Sequence, residues 1–191
     1  MDLRQQLHSL LQIERQAQDL GFDTTCPILT RNILLDERVR MQCQVNLCGH
    51  YNRNLMCPPF LPSLSSTRAL IGSYTFALLL QLQRSLYQND QEEMRSVFHT
   101  MALQLNQMLV ELERKAFAAG FHLALALGAG ECKLCPECVI SDGETLCRKP
   151  GASRPSMEGM GIDVIQTFRT AGLSMDFRPG HLTVAGLLLI N

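Results

Sequence analysis

The 191-residue sequence predicts a single α/β domain spanning residues 1–191: a mixed sheet flanked by helices, with two cysteine-rich loops meeting at one edge. Three observations carry this expectation. At 46% hydrophobic, the chain has enough apolar side chain for a real core. A strand–helix–strand run in its middle reads as a crossover unit and suggests a parallel pair of strands. Seven of its eight cysteines fall in two groups. Residues of irregular loops (Gly49, Asn52, Asn54, Pro58 and Pro59) crowd the first of them.

Leu3 to Leu20 reads as a helix, because Leu3, Leu7, Leu10, Leu11 and Ala17 recur at helical spacing. Gly21 suits the position just past its end. Cys26-Pro27 follows in a turn, with Cys26 read as a small buried hydrophobe and an additional metal ligand as the alternative. Asn32 to Leu35 is a short strand candidate, and Asp36 to Gln42 leads into the first cysteine group. Cys43, Cys48 and Cys57 stand there at C-x4-C-x8-C spacing, followed by Pro58 and Pro59. Proline after a ligand cysteine removes a donor and stiffens the exit of the loop. His50 reads as a hydrogen-bond donor behind the ligands, or as an exposed loop residue, rather than as a ligand. Tyr51 and Arg53 could bond to sulfides or a substrate, or simply be solvated.

Ser73 to Leu82 is a buried strand candidate, and Asn89-Asp90 starts a long helix. Its apolar stripe is Met94, Val97, Phe98, Met101, Leu105, Met108, Leu109 and Leu112, with the methionines as core filler. Gly120 ends it, and Phe121 to Leu127 forms the next strand. That strand runs through Gly128-Ala129-Gly130 into the second cysteine group, at the strand end where α/β proteins usually carry their sites.

The second group is Cys132, Cys135 and Cys138 at C-x2-C-x2-C spacing, with Cys147 nine residues on. A cysteine at every third residue offers thiolates around one face of a cubane, and the bacterial ferredoxin run begins the same way. A structural zinc site usually has two separated pairs. The spacing therefore favours iron–sulfur over zinc, which stays as the alternative. Beyond Cys147, Arg148, Lys149 and Arg154 form a basic turn, either solvated or facing an anionic centre. Ser156 suits the N-cap of a helix reaching about Ala171, with Met157, Met160, Val164, Ile165 and Phe168 buried and Gly172 past its end. Glu158 then complements the helix dipole, with a catalytic acid or base as the alternative. Asp163 carries no role legible in the sequence. After a turn at Arg178-Pro179-Gly180, Leu182 to Ile190 is a closing strand, apolar enough to sit centrally.

The formal charge of −1 and pI near 6.5 give no nucleic-acid signal. No apolar run approaches the ~20 residues of a membrane span, and the polar amphipathic start is not a secretory signal. A cytoplasmic setting follows, and in a reducing compartment eight cysteines argue for metal ligation over disulfides.

The two motifs, together with the tail Arg154-Pro-Ser-Met-Glu-Gly-Met-Gly-Ile-Asp-Val164, resemble a prokaryotic family of predicted metal-binding proteins, a domain of unknown function. Many members occur in anaerobes. The resemblance covers most of the chain and implies metal binding through the seven motif cysteines; Cys26 lies outside the pattern. A fully thiolate-ligated cubane takes four cysteines. Cys132, Cys135, Cys138 and Cys147 can close one [4Fe–4S] cluster, and Cys43, Cys48 and Cys57 can hold a second through three irons. The fourth iron is then open, or capped by water, Cys26 or a partner, and ligands exchanged between the loops remain an alternative. The expected function is electron transfer or a redox reaction with a partner protein or small molecule. The alternatives are an open-iron enzyme, such as a dehydratase or one that removes or transfers sulfur, and a zinc-stabilised binding module.

Overall fold

The first helix, α1, spans Leu3–Leu20 and ends at Gly21, whose φ of +95° is the left-handed conformation that terminates helices. The computed structural model describes residues 3–87, 90–175 and 180–191. The order continues with β1 (Thr24–Leu29), α2 (Glu37–Val45), α3 (Leu64–Gly72), β2 (Phe76–Ser85) and α4 (Gln91–Ala118). It closes with β3 (Leu125–Leu127), α5 (Val164–Thr170) and β4 (His181–Ile190). Among the described residues, no helix is long and apolar enough to cross a membrane.

The strands form one sheet in the order β1-β2-β4-β3. Every ladder in it is antiparallel, so the sheet is not mixed and the expected parallel pair does not form. The reason lies in β4. Both β2 and β3 pair antiparallel with it, so they run in the same direction, as the α4 crossover between them requires. The C-terminal strand has entered the gap, pairing Phe76 with Ile190 through Ser85 with His181 on one side and Leu125 with Leu189 on the other. The strand–helix–strand unit is therefore a split one, and β4 is central, as its apolar sequence suggests.

Both faces of the sheet are covered. Alternate residues point to opposite sides, so Leu78, Leu80 and Leu82 join Val184 and Leu188 under α1 and α4. Leu79, Leu187 and Leu189 join Ile71 of α3 and Phe168 of α5 on the other side. Of the long stripe on α4, Met101, Leu105, Leu109 and Leu112 are buried, whereas Met94 is exposed. Asp90 caps this helix by accepting from Glu93 N–H at 2.7 Å; Asn89, placed beside it by the sequence, lies outside the described residues, as do Arg178 and Pro179.

Several boundaries differ from expectation. Cys26-Pro27 is not a turn but the middle of edge strand β1, where a proline is tolerated. Asn32, placed at the start of a strand, closes a 3-10 turn that spans Thr30–Asn32, and the residues after it contribute a single bridge, Leu35 to Ile162. Ser73 caps the end of α3, so β2 begins at Phe76. Only the last three residues of Phe121–Leu127 are strand, although Phe121 is fully buried. The last helix starts not at Ser156 but at Val164, where Asp163 serves as N-cap by accepting from Gln166 N–H at 3.0 Å. Ile165, expected in the buried face, is exposed.

Asp36 caps α2 by accepting from Arg38 N–H at 2.8 Å, and it also pairs with the Arg38 guanidinium. The hydrogen bonds from Arg38 hold the Asp36 carboxyl down at about 2. The folded value lies below the ordinary carboxylate value of about 3.9, so this contribution is present above that pH and is lost as pH falls towards 2. Asp36→Ala is expected to lower the urea midpoint at pH 7. Near pH 2 the difference from the parent should have largely closed.

Candidate metal centre

The seven motif cysteines separate into two cavities. Cys43, Cys48 and Cys57 line one of about 200 Å³, with His50, Tyr51, Glu131 and Glu158 also in its wall. Cys132, Cys135, Cys138 and Cys147 line a tighter one of about 30 Å³. The grouping by cavity is the grouping by sequence motif. Cys26 is in neither wall; it sits on β1, and burial and then the Glu14 carboxylate push its thiol up.

The four-cysteine loop is an excursion from the carboxyl end of β3, closed at its neck. Gly128 N–H donates to Pro155 O at 2.8 Å and Met157 N–H to Gly128 O at 2.9 Å, a parallel bridge of Gly128 with Ser156. Within the loop, Lys149 N–H donates to Cys147 Sγ at 3.3 Å, and Lys149 Nζ to Leu134 O at 2.6 Å. The return leg is fastened to α4 by Asn106, which donates to Ala152 O at 2.8 Å, and by the ion pair of Arg154 with Glu113. Arg148 pairs with Asp142 at 2.9 Å. Arg154 and Arg148, read as possible partners of an anionic centre, are thus both engaged elsewhere.

The first group is not all loop. Cys43 stands in the last turn of α2, and the chain then reverses through Asn46 and Asn52, both with positive φ near 60°. The excursion closes where Asn52 N–H donates to Pro58 O at 3.0 Å. This segment meets the second loop directly. Asn54 donates to Cys132 O at 3.0 Å, and Leu55 N–H points to Cys138 Sγ at 3.5 Å. Cys132, Cys135 and Cys138 also line a polar cavity of about 290 Å³, together with His50, Arg53, His99 and Lys133.

Glu131 and Lys133 form the seam. The Lys133 side chain is only 5% exposed; its Nζ lies 2.8 Å from Glu131 Oε1 and 5.0 Å from the Phe98 ring centre. His50 Nε2 is 3.5 Å from the same Glu131 oxygen. Burial pushes the Glu131 carboxyl up, but the Lys133 hydrogen bond, its own backbone N–H and the nearby Lys133 and His50 charges outweigh it and hold the group ionised. Sequence reading singled out neither residue. Their signal was position, since both flank Cys132 inside the motif.

Glu158 has no helix dipole to complement, because no helix begins at Ser156. It lines the three-cysteine cavity, and its Oε2 is buried without a hydrogen-bond partner. Burial pushes its carboxyl up, against the backbone N–H groups of Glu158 and Gly130 and the charge of Lys133. The turn that carries it is tightly packed. A Cβ on Gly159 would lie 2.7 Å from Leu61 Cδ1, and one on Gly161 would run into Leu64 Cδ1 and be strained at φ +84°. Gly161→Ala is expected to cost about 1–3 kcal/mol, measured by denaturant unfolding.

Of the seven motif cysteines Cys57 is buried, Cys48 is exposed and the other five are half-buried. Burial, with Cys48, Glu131 and Cys43 adding to it, pushes Cys57 up to about 12. Burial and then Cys48 and Glu158 raise Cys43; burial also raises Cys132, with its three companion thiols adding to it. Metal ligands must be deprotonated, and a bound cation supplies the charge that the protein lacks. Among the described residues, no three His, Cys, Asp or Glu side chains converge as the ligands of one metal ion do. Two cavities walled by three and by four cysteines, with the orphaned Glu158 oxygen on a residue lining the first, offer donor sets that suit a metal group at each.

The chain belongs to the family described as predicted metal-binding protein (DUF2284), whose model matches residues 26–190. No curated protein and no solved structure matches it.

Proposed function

We propose that this member of a metal-binding family is an iron–sulfur protein with two centres, acting in one-electron transfer. One observation carries the reading: the cysteines divide three and four between two cavities, and the segment that carries Cys48 and Cys57 meets the second set where Leu55 N–H points to Cys138 Sγ. Cys132, Cys135, Cys138 and Cys147 would hold one [4Fe–4S] cluster completely, and Cys43, Cys48 and Cys57 three corners of a second. A bound cluster supplies reversible one-electron chemistry. The protein's own part is to shelter the thiols, Cys57 most of all, to donate N–H groups of Leu55 and Lys149 to sulfur, and to keep the buried Lys133 charge near both sets. The two N–H donors and the Lys133 charge stabilise added negative charge and so favour the reduced state, whereas burial opposes it. A redox partner protein or a small molecule in the cytoplasm would exchange the electron.

A substrate-activating enzyme is the second reading, favoured by the 200 Å³ cavity beside the three-cysteine set. Zinc fits less well, since a tetrahedral zinc site needs its sulfurs about 2.3 Å from one ion. The test is iron and acid-labile sulfide per chain on anaerobically purified protein, with an EPR spectrum after dithionite. About eight irons are expected, with two reducible clusters. Zinc without sulfide would overturn the proposal.

A further inference from the structure

We propose that Glu158 supplies the fourth ligand of the three-cysteine centre, binding iron through Oε2. The inference rests on the reading that Cys43, Cys48 and Cys57 hold a cluster. Three thiolates leave one iron of a cubane without a protein ligand. The same cavity wall carries a carboxylate oxygen that is buried and has no hydrogen-bond partner. Buried polar atoms in folded proteins are almost always satisfied, so an orphaned one on a residue that lines this cavity, and also the neighbouring one beside Val39 and Phe98, points to a group bound there.

The other candidates are committed elsewhere. Glu131 is held by Lys133 at 2.8 Å and by His50 at 3.5 Å, which also engages the histidine. Cys26 lies on β1, outside this cavity wall. Glu158, by contrast, is presented by a turn that the fold fixes at both ends. Ser156 Oγ accepts from Gly159 N–H at 2.9 Å, and Gly161 O accepts from Asp36 N–H at 3.0 Å. Arg40 of α2 donates to Gly159 O, which locks the helix carrying Cys43 to the turn carrying Glu158. The fold therefore sets the spacing of these two donors rather than leaving it to a mobile loop. On binding, a carboxylate oxygen gives its lone pair to iron, and any proton the group carries passes to solvent. A centre closed in this way carries electrons and does not coordinate a substrate until the carboxylate is displaced, which favours the first functional reading over the second.

The experiment uses the full chain carrying Cys135→Ser and Cys138→Ser, so that the three-cysteine cluster is seen alone. It is reconstituted anaerobically with 57Fe and sulfide. With Glu158 present, Mössbauer spectra should show one iron of about four with an oxygen-like shift. Cyanide, followed by EPR of the reduced protein, should bind roughly tenfold or more weakly than to Glu158→Gln, because the carboxylate occupies the iron most of the time. Glu158→Cys should retain iron and give four sulfur-ligated sites, a rescue that a merely structural role would not produce. Equal cyanide midpoints for the parent and Glu158→Gln, or four equivalent irons in the parent, would overturn the assignment. Should this background hold no iron while the unsubstituted chain holds about four, the three-cysteine cluster itself fails instead, and the ligand assignment with it.

Discussion

Cys135→Ser is expected to remove about four irons per chain and leave about four, and Cys57→Ser to do the converse. The expectation follows from the two cavities. Cys135 shares its wall with Cys132, Cys138 and Cys147, while Cys57 shares its own with Cys43 and Cys48. Neither wall borrows a cysteine from the other. A ferredoxin-like exchange, in which one loop's last cysteine serves the other loop's cluster, would make either substitution damage both centres. Iron and sulfide analysis of the two variants, with EPR after dithionite, separates these cases. Independent losses support two self-contained sets; loss of both clusters from either variant means shared ligation. Cys26→Ser should leave the iron content unchanged, because Cys26 is on edge strand β1 and in neither wall.

How much of this was legible in the sequence depends on whether the signal was local. Spacing alone sorted the seven cysteines into the two sets that the fold separates, since residues a few positions apart cannot stray far from one another. The helical periods of α1 and α4 and the apolar run of β4 gave those elements to within a residue or two at most ends. Direction was not legible. The strand–helix–strand unit was read as an adjacent parallel pair, and nothing local announces that the C-terminal strand enters between its two strands. The same holds for Ser156. It looks like an N-cap, but the segment after it is pinned instead by non-local contacts, Ser156 beside Gly128 and Ile162 beside Leu35, and the helix waits until Asp163. That displacement is what frees Glu158 from a helix face and leaves it in the wall of the three-cysteine cavity. Convergence of the two loops, expected from the motifs only as a hypothesis, rests on Asn54 and Leu55, which no spacing rule marks.

Arg154→Ala is expected to give the largest loss of stability of any single substitution considered, about 3 kcal/mol. The guanidinium donates through Nε to Glu113 Oε2 at 2.8 Å and through Nη2 to Oε1, a two-pronged pair, and it also donates to Ser153 O at 2.7 Å. The side chains are only 13% and 19% exposed, so solvent screens the pair poorly. Removing the arginine leaves the Glu113 carboxylate with Ala126 N–H, at 2.7 Å, and little else. The bond to Ala126 belongs to the start of β3, so the same carboxylate fixes the strand that feeds the four-cysteine loop and the arginine that brings its chain back. At roughly 2–4 °C per kcal/mol for a chain of this size, the melting temperature should fall by about 6–12 °C. The pairing also predicts non-additivity. Arg154→Ala with Glu113→Ala removes both charges and should be less destabilised than the two single losses summed, by an interaction of about 0.5–3 kcal/mol. Additive losses would mean that the pair is not coupled and that Arg154 acts through packing alone. The four-cysteine centre should report the same event independently. With the return leg loosened from α4, a chelator should strip its iron faster from Arg154→Ala than from the parent, while the iron held by Cys43, Cys48 and Cys57 is lost at the parent's rate.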